Sequence, residues 1–180
     1  MFLPGKCFPA IAIFIAFCSC LTTAAATPAP HLNTVGLRFG DAFRGDDIQQ
    51  YDVFFARNLP WTKSLDSGWQ LESAAELTAS ALEGNQEDTV SGSVSADLFL
   101  VSPERMVSFH SGIGAGLLAD DTMGETDFGG PVFFLFHAGA SLRLHPRLAL
   151  GYRYSHQSNG AIYEKNPSLN LHQIELRFSF

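Results

Sequence analysis

Residues 148–158 read LALGYRYSHQS. Every second side chain from Leu148 to Tyr154 is apolar or aromatic, and Arg153 and Gln157 lie among the intervening ones. Alternation with a period of two marks a β-strand with two unlike faces. The end of the stretch raises a question. His156 and Ser158 share a face with Leu148, Leu150, Tyr152 and Tyr154, because residues two apart on a strand point the same way. A slip of one residue would exchange the two faces completely. The direction in which the leucine face looks therefore decides the fold, and with it the surroundings of a histidine–serine pair.

The same alternation recurs over residues 33–41, 48–58, 67–82, 89–102, 105–119, 131–145, 147–159 and 169–180. Turn-rich runs such as GDAFRGDD, PWTKSLD, EGNQED, DDTMGETDFGG and NGAIYEKNPS separate these segments. One face collects Leu37, Val53, Leu77, Val94, Phe109, Phe136 and Leu176. The other collects Arg38, Asp52, Glu72, Glu76, Asp97, His110, His137, Arg143, Arg153, Glu175 and Arg177, four arginines against five carboxylates. Ser91, Ser93, Ser95, Gly112, Gly114 and Gly116 share this second face.

Two features argue that the apolar face looks outward. It carries essentially no charge in mid-strand, where a lysine or arginine at the centre of a bilayer would cost ~2–4 kcal/mol. The small residues of the opposite face suit the crowded interior of a narrow eight-stranded barrel. The predicted fold is all-β: an eight-stranded antiparallel transmembrane barrel of the outer-membrane type over residues 27–180. Side chains fill a barrel of that size, so the interior should be an ion-pair and hydrogen-bond network with no wide pore. The inverse arrangement, a soluble periplasmic barrel holding an apolar ligand, would turn the same leucines inward.

Residues 1–26 read as a secretory signal peptide. Lys6 precedes the apolar run CFPAIAIFIAFCSCL, and Ala24 and Ala26 place a cleavage site after Ala26. A lipoprotein signal ending at Cys20 is the rival, disfavoured by Phe17 where an aliphatic residue is expected. Cys7, Cys18 and Cys20 all fall in this leader, so disulfides play no part in the mature chain. Loss of Lys6 makes that chain one unit more negative than the full sequence at −7. Such acidity argues against a nucleic-acid partner. The localisation expected is the bacterial outer membrane.

The residues also point to chemistry. Ester hydrolysis needs a hydroxyl nucleophile, a base within hydrogen-bond reach and donors for the oxyanion. His156 and Ser158 lie on one face at a Cα separation of ~6.5–7 Å, which their side chains can bridge. At headgroup depth the neighbouring esters are those of lipids. An interfacial rim role beside Tyr152 and Tyr154 is the alternative.

The wider stretch, RYSHQSNGAIYEKNPSLN at 153–170, resembles the signature of the lipid A 3-O-deacylase family, the PagL-like outer-membrane enzymes. That signature is a His-x-Ser-Asn-Ala-Gly run followed by an Asn-Pro-Gly-x-Asn run or a variant of it. The resemblance implies a Ser-His-acid triad on the outside of the barrel that cuts the ester at position 3 of lipid A. It assigns His156 as base, Ser158 as nucleophile, and Asn159, Asn166 and a backbone N–H at Ala161 as oxyanion or supporting groups. Phe134 matches a family phenylalanine on the preceding strand.

The chain departs from the pattern twice. Gly160-Ala161 reverses the usual order, and the acid position is Asn170. An asparagine can orient an imidazole through its side-chain oxygen, but it brings no charge. Glu164 is the nearest loop carboxylate and the candidate substitute. Glu175 has the wrong parity, and His172 reads as rim decoration. The resemblance implies lipid A as substrate, no cofactor and no metal, and two copies could pair as a homodimer. A non-enzymatic outer-membrane barrel, structural or adhesive, or a catalytically silent relative is the competing functional reading.

Overall fold

Alternating faces commit the chain to strands that can satisfy their backbone groups only by closing on one another. The computed structural model describes residues 33–43, 48–84 and 87–180. The signal peptide expected at 1–26, with Lys6 and the three cysteines, lies outside the described residues.

The strands are β1 (Asn33–Ala42), β2 (Ile48–Ser64), β3 (Gln70–Gly84), β4 (Glu87–Val101) and β5 (Val107–Leu118), then two short strands, β6 (Thr122–Met123) and β7 (Thr126–Asp127), and finally β8 (Val132–His145), β9 (Leu148–Ser158) and β10 (Leu169–Ser179). β6 and β7 form a separate hairpin within the β5–β8 loop. The other eight close an antiparallel barrel in sequence order, sealed by β1 against β10 with Leu37 opposite Leu176. This is the predicted architecture.

The largest boundary difference is at the β2–β3 turn. β2 runs on to Ser64, past the expected end at residue 58, and the turn lies at 65–69. The register of β2 on β3 shifts between Asn58 and Thr62. Such an irregularity accommodates Pro60, which has no N–H for a regular ladder. Proline within PWTKSLD is what made the segment read as a turn.

The apolar face looks out. Leu37, Val53 and Leu77 are about 60% exposed (59%, 61% and 58%), whereas Arg153 and Glu175 are 1% and 0% exposed. The interior is an ion-pair network. Arg38 reaches Asp52 at 2.9 Å, Glu76 at 2.9 Å and Glu175 at 3.3 Å. Arg153 reaches Glu76 at 3.0 Å and Glu175 at 3.6 Å, and Arg177 reaches Glu175 at 3.2 Å. Three guanidinium groups thus meet three carboxylates, and Gln50 and Gln173 donate further hydrogen bonds to Asp52. Buried charges persist when they are paired and hydrogen-bonded in this way. Close packing demands small neighbours. A Cβ on Gly112 would collide with Asp97 and His137, and one on Gly116 with Phe133.

The two ends of the barrel differ. At one end the connections are short, at 65–69, 102–106 and 146–147. At the other lie the long loops 119–131 and 159–168. Bacterial barrels place short turns in the periplasm and long loops outside the cell. Beneath the long loops the interior becomes apolar. Ile48, Leu82, Leu118, Leu169 and Leu171 turn inward, and Met123, Phe128 and Phe133 join them in a buried cluster. This plug, absent from the sequence expectation of a polar interior, backs the candidate site.

Candidate active site

His156 and Ser158 occupy the loop end of β9 and point outward, half-buried between inward-facing Ser155, Gln157 and Asn159. Across the β8 ladder His156 lies opposite Phe136 and Ser158 opposite Phe134. Gly160 packs against the Phe134 ring, leaving 3.0 Å for a hypothetical Cβ. Phe134 therefore flanks the serine directly. Across the other ladder His156 lies opposite Asn170.

That register delivers the central contact. His156 Nδ1–H donates to Asn170 Oδ1 at 2.8 Å. An amide oxygen can only accept, so the proton of the neutral ring sits on Nδ1 and Nε2 carries a free lone pair. Tyr154 donates its hydroxyl to the same oxygen at 2.9 Å. Asn170 Nδ2 faces the Ser168 hydroxyl at 3.4 Å. The Ser158 hydroxyl and His156 Nε2 have no hydrogen-bond partner among the described residues, and no hydrogen bond joins them.

The loop after Ser158 is braced from within. Asn159 is 3% exposed. Its side-chain amide donates to the carbonyls of Phe128 at 2.8 Å and Lys165 at 2.6 Å. Its Oδ1 accepts from the Ala161 N–H at 2.9 Å, closing a turn in which Gly160 and Ala161 both have positive φ, 64° and 62°. The Asn159 N–H donates to Asn166 Oδ1 at 3.0 Å. That bond turns the amide nitrogen of Asn166 away from Asn159, as a donor with no partner among the described residues. Asn159 and the Ala161 N–H, expected as oxyanion groups, are thus engaged inside the loop.

The 119–131 loop supports this turn. Tyr163 stacks over Gly130, and the carbonyl of Lys165 packs on Gly129. Lys165 Nζ meets Asp127 Oδ2 at 2.5 Å on the surface. The Lys165 hydrogen bond, with a second from the Gly129 N–H, holds the Asp127 carboxyl below its ordinary range. Asp127 in turn raises the Lys165 ammonium.

Glu164 is exposed on the loop and makes no bond to His156. Glu175 faces the lumen, as its parity required. His172 is exposed on the outer face, paired through Nδ1 with the Tyr152 hydroxyl and edge-on to Phe43 at 5.0 Å. Two contributors escaped the sequence reading. Tyr154 was visible only as a rim aromatic of the right parity. The bracing of Asn159 by Phe128 depends on a loop 31 positions away in sequence.

Comparisons with known proteins bear on this arrangement. The family model described as lipid A 3-O-deacylase (PagL) matches residues 49–179. The lipid A deacylase PagL of Bordetella bronchiseptica is 27% identical over 164 residues, covering 89% of this chain and 90% of its own length. The crystal structure of the outer membrane enzyme PagL superposes with a TM-score of 0.73 at 17% identity, covering 81% of this chain and 98% of that one. The Yersinia pestis outer membrane protein Ail superposes with a TM-score of 0.51 at 11% identity, covering 84% and 100%. At these identities the two structures establish a shared fold.

Proposed function

From its membership of the lipid A 3-O-deacylase (PagL) family, to which this chain belongs, we propose that the protein hydrolyses the 3-O-linked acyl ester of lipid A with Ser158 as nucleophile and His156 as base. The chain is an outer-membrane barrel, and its belt of exposed leucines and phenylalanines meets hydrocarbon. His156 and Ser158 stand at the loop end of that belt, at the depth of lipid esters. The observation that carries the reading is the Nδ1–Oδ1 bond of His156 to Asn170, which leaves Nε2 unprotonated on the face that carries Ser158.

Substrate entry closes the gap between Ser158 Oγ and His156 Nε2, as catalytic hydrogen bonds often tighten only in the complex. Nε2 takes the hydroxyl proton as Oγ attacks the acyl carbonyl. The imidazolium then returns the proton to the departing sugar oxygen, leaving an acyl-enzyme. Water, deprotonated by the same nitrogen, attacks the acyl carbon; the C–Oγ bond breaks, Oγ takes the proton back from the imidazolium, and the fatty acid leaves. Asn166 Nδ2 is the donor left open toward an oxyanion. The Ala161 N–H would join it by exchanging Asn159 Oδ1 for the substrate. Loss of one such donor typically costs ~10²–10³ in turnover.

Asn170 in the acid position favours a second reading, a silent relative that keeps the barrel without the reaction. Mass spectrometry of lipid A from expressing cells decides between them. Wild type should lose one 3-hydroxyacyl chain while Ser158→Ala leaves lipid A intact. Identical lipid A from the two would end the esterase reading.

A further inference from the structure

We infer that Tyr154 is a positioning residue that makes a neutral asparagine workable in place of an acid. This rests on the reading of His156, Ser158 and Asn170 as the reacting set. The Tyr154 hydroxyl and the His156 Nδ1–H converge on one atom, Asn170 Oδ1, at 2.9 and 2.8 Å. A carboxylate at position 170 would need no such help, because both its oxygens accept and a half-turn of the group changes nothing. An amide has a right and a wrong face. Rotated by half a turn, Asn170 would offer Nδ2 to the ring. His156 Nδ1 would then have to accept, and the ring proton would move to Nε2, the atom that must take the proton of Ser158.

The phenol biases this choice. Its O–H is a good donor, and it is satisfied as a donor only when Oδ1 faces inward between Tyr154 and His156. On the far side, Ser168 Oγ receives Nδ2 in the same orientation. The phenol is held in place. Tyr154 lies opposite His172 in the β9–β10 ladder, with ring centroids 5.6 Å apart, and His172 is tied to the Tyr152 hydroxyl. The register thus sets His156 directly opposite Asn170 and Tyr154, two residues earlier on β9, diagonally across from the same amide.

The bland alternative is that Tyr154 is one more aromatic of the interfacial girdle. The two assignments part at the hydroxyl, since a girdle residue keeps its function as phenylalanine. The experiment uses the purified full chain with lipid A in mixed micelles. Tyr154→Phe should lower kcat about tenfold with little change in KM, the loss of one orienting hydrogen bond. In an Asn170→Asp background, where the acceptor has no wrong face, the same substitution should cost less than about twofold.

Ring ¹⁵N shifts of His156 supply a readout that mere folding support would not move. The neutral ring should carry its proton on Nδ1 in wild type and shift toward Nε2–H in Tyr154→Phe. Equal losses in the two backgrounds, or an unchanged tautomer in Tyr154→Phe, would overturn the inference. An unaffected Ser158→Ala would instead overturn the assignment of the reacting set, and the tautomer measurement stands whichever way that falls.

Discussion

Arg153, Ser155 and Gln157 point into the barrel from β9, while Tyr152, Tyr154, His156 and Ser158 point out of it. On the inner face charge is answered by charge. Arg153 meets Glu76 and Glu175, which are shared with Arg38 and Arg177. On the outer face of β9 no ion pair forms among the described residues, and the hydrogen bonds have open ends. They run from Tyr154 and His156 into Asn170, and beside them His156 Nε2 and the separate Ser158 hydroxyl have no hydrogen-bond partner among the described residues. Paired charges suit a scaffold, because removing one partner strands a buried charge. Open valences suit chemistry, because a substrate must complete them.

The contrast can be broken by substitutions on either face. The largest expected effect is at Ser158. Ser158→Ala should reduce deacylation by about 10⁴-fold or more, the scale seen when a nucleophile is removed, and circular dichroism should report an unchanged barrel. Next is Glu76→Ala on the inner side, which removes the carboxylate shared by Arg38 and Arg153. Removing one member of a buried pair costs about 3–5 kcal/mol. Urea unfolding in detergent should show that loss, and an unchanged midpoint would mean the lumen charges are not coupled.

Asn159→Ala acts at the boundary between the two faces. It removes the donors to Phe128 and Lys165 and the acceptor for Ala161. Each buried group left unsatisfied costs about 1–3 kcal/mol. The loop should loosen and activity fall, with protease cleavage at 159–168 as the measurement.

The smallest effect belongs to the surface bridge between Asp127 and Lys165. Asp127 is depressed, so the bridge contributes fully above the ordinary carboxylate range and is lost as pH falls through the depressed value. Lys165 is raised, so at the alkaline end the bridge persists until pH passes the elevated ammonium value. Backbone ¹⁵N relaxation of residues 119–131 should show greater mobility in acid for wild type and no such change for Lys165→Ala.

Much of this was legible in one dimension. Arg38, Glu76, Arg153 and Glu175 each fall on the polar face of their strand, and the near balance of charge on that face already implied mutual pairing. The motif run from His156 to Asn170 was readable because it is nearly contiguous. Pro60 misled the reading of β2, since a proline ends most strands but is tolerated where the register of β2 on β3 shifts. The apolar plug was also hidden. Leu82, Leu118 and Leu171 continue the inward parity of polar residues, and only the folded loops supply Met123 and Phe128 to cover them.

At the site, sequence alone determined which side chains could share a surface, because strand geometry sends residues two apart to the same face. Tertiary structure decided which of them meet. The β9–β10 register sets Asn170 beside His156 and Tyr154, and the packing of loop 119–131 on loop 159–168 turns Asn159 inward. The physical reason is range. Side-chain alternation is a property of one strand, whereas a hydrogen bond between strands depends on the register of two, which neither segment encodes alone.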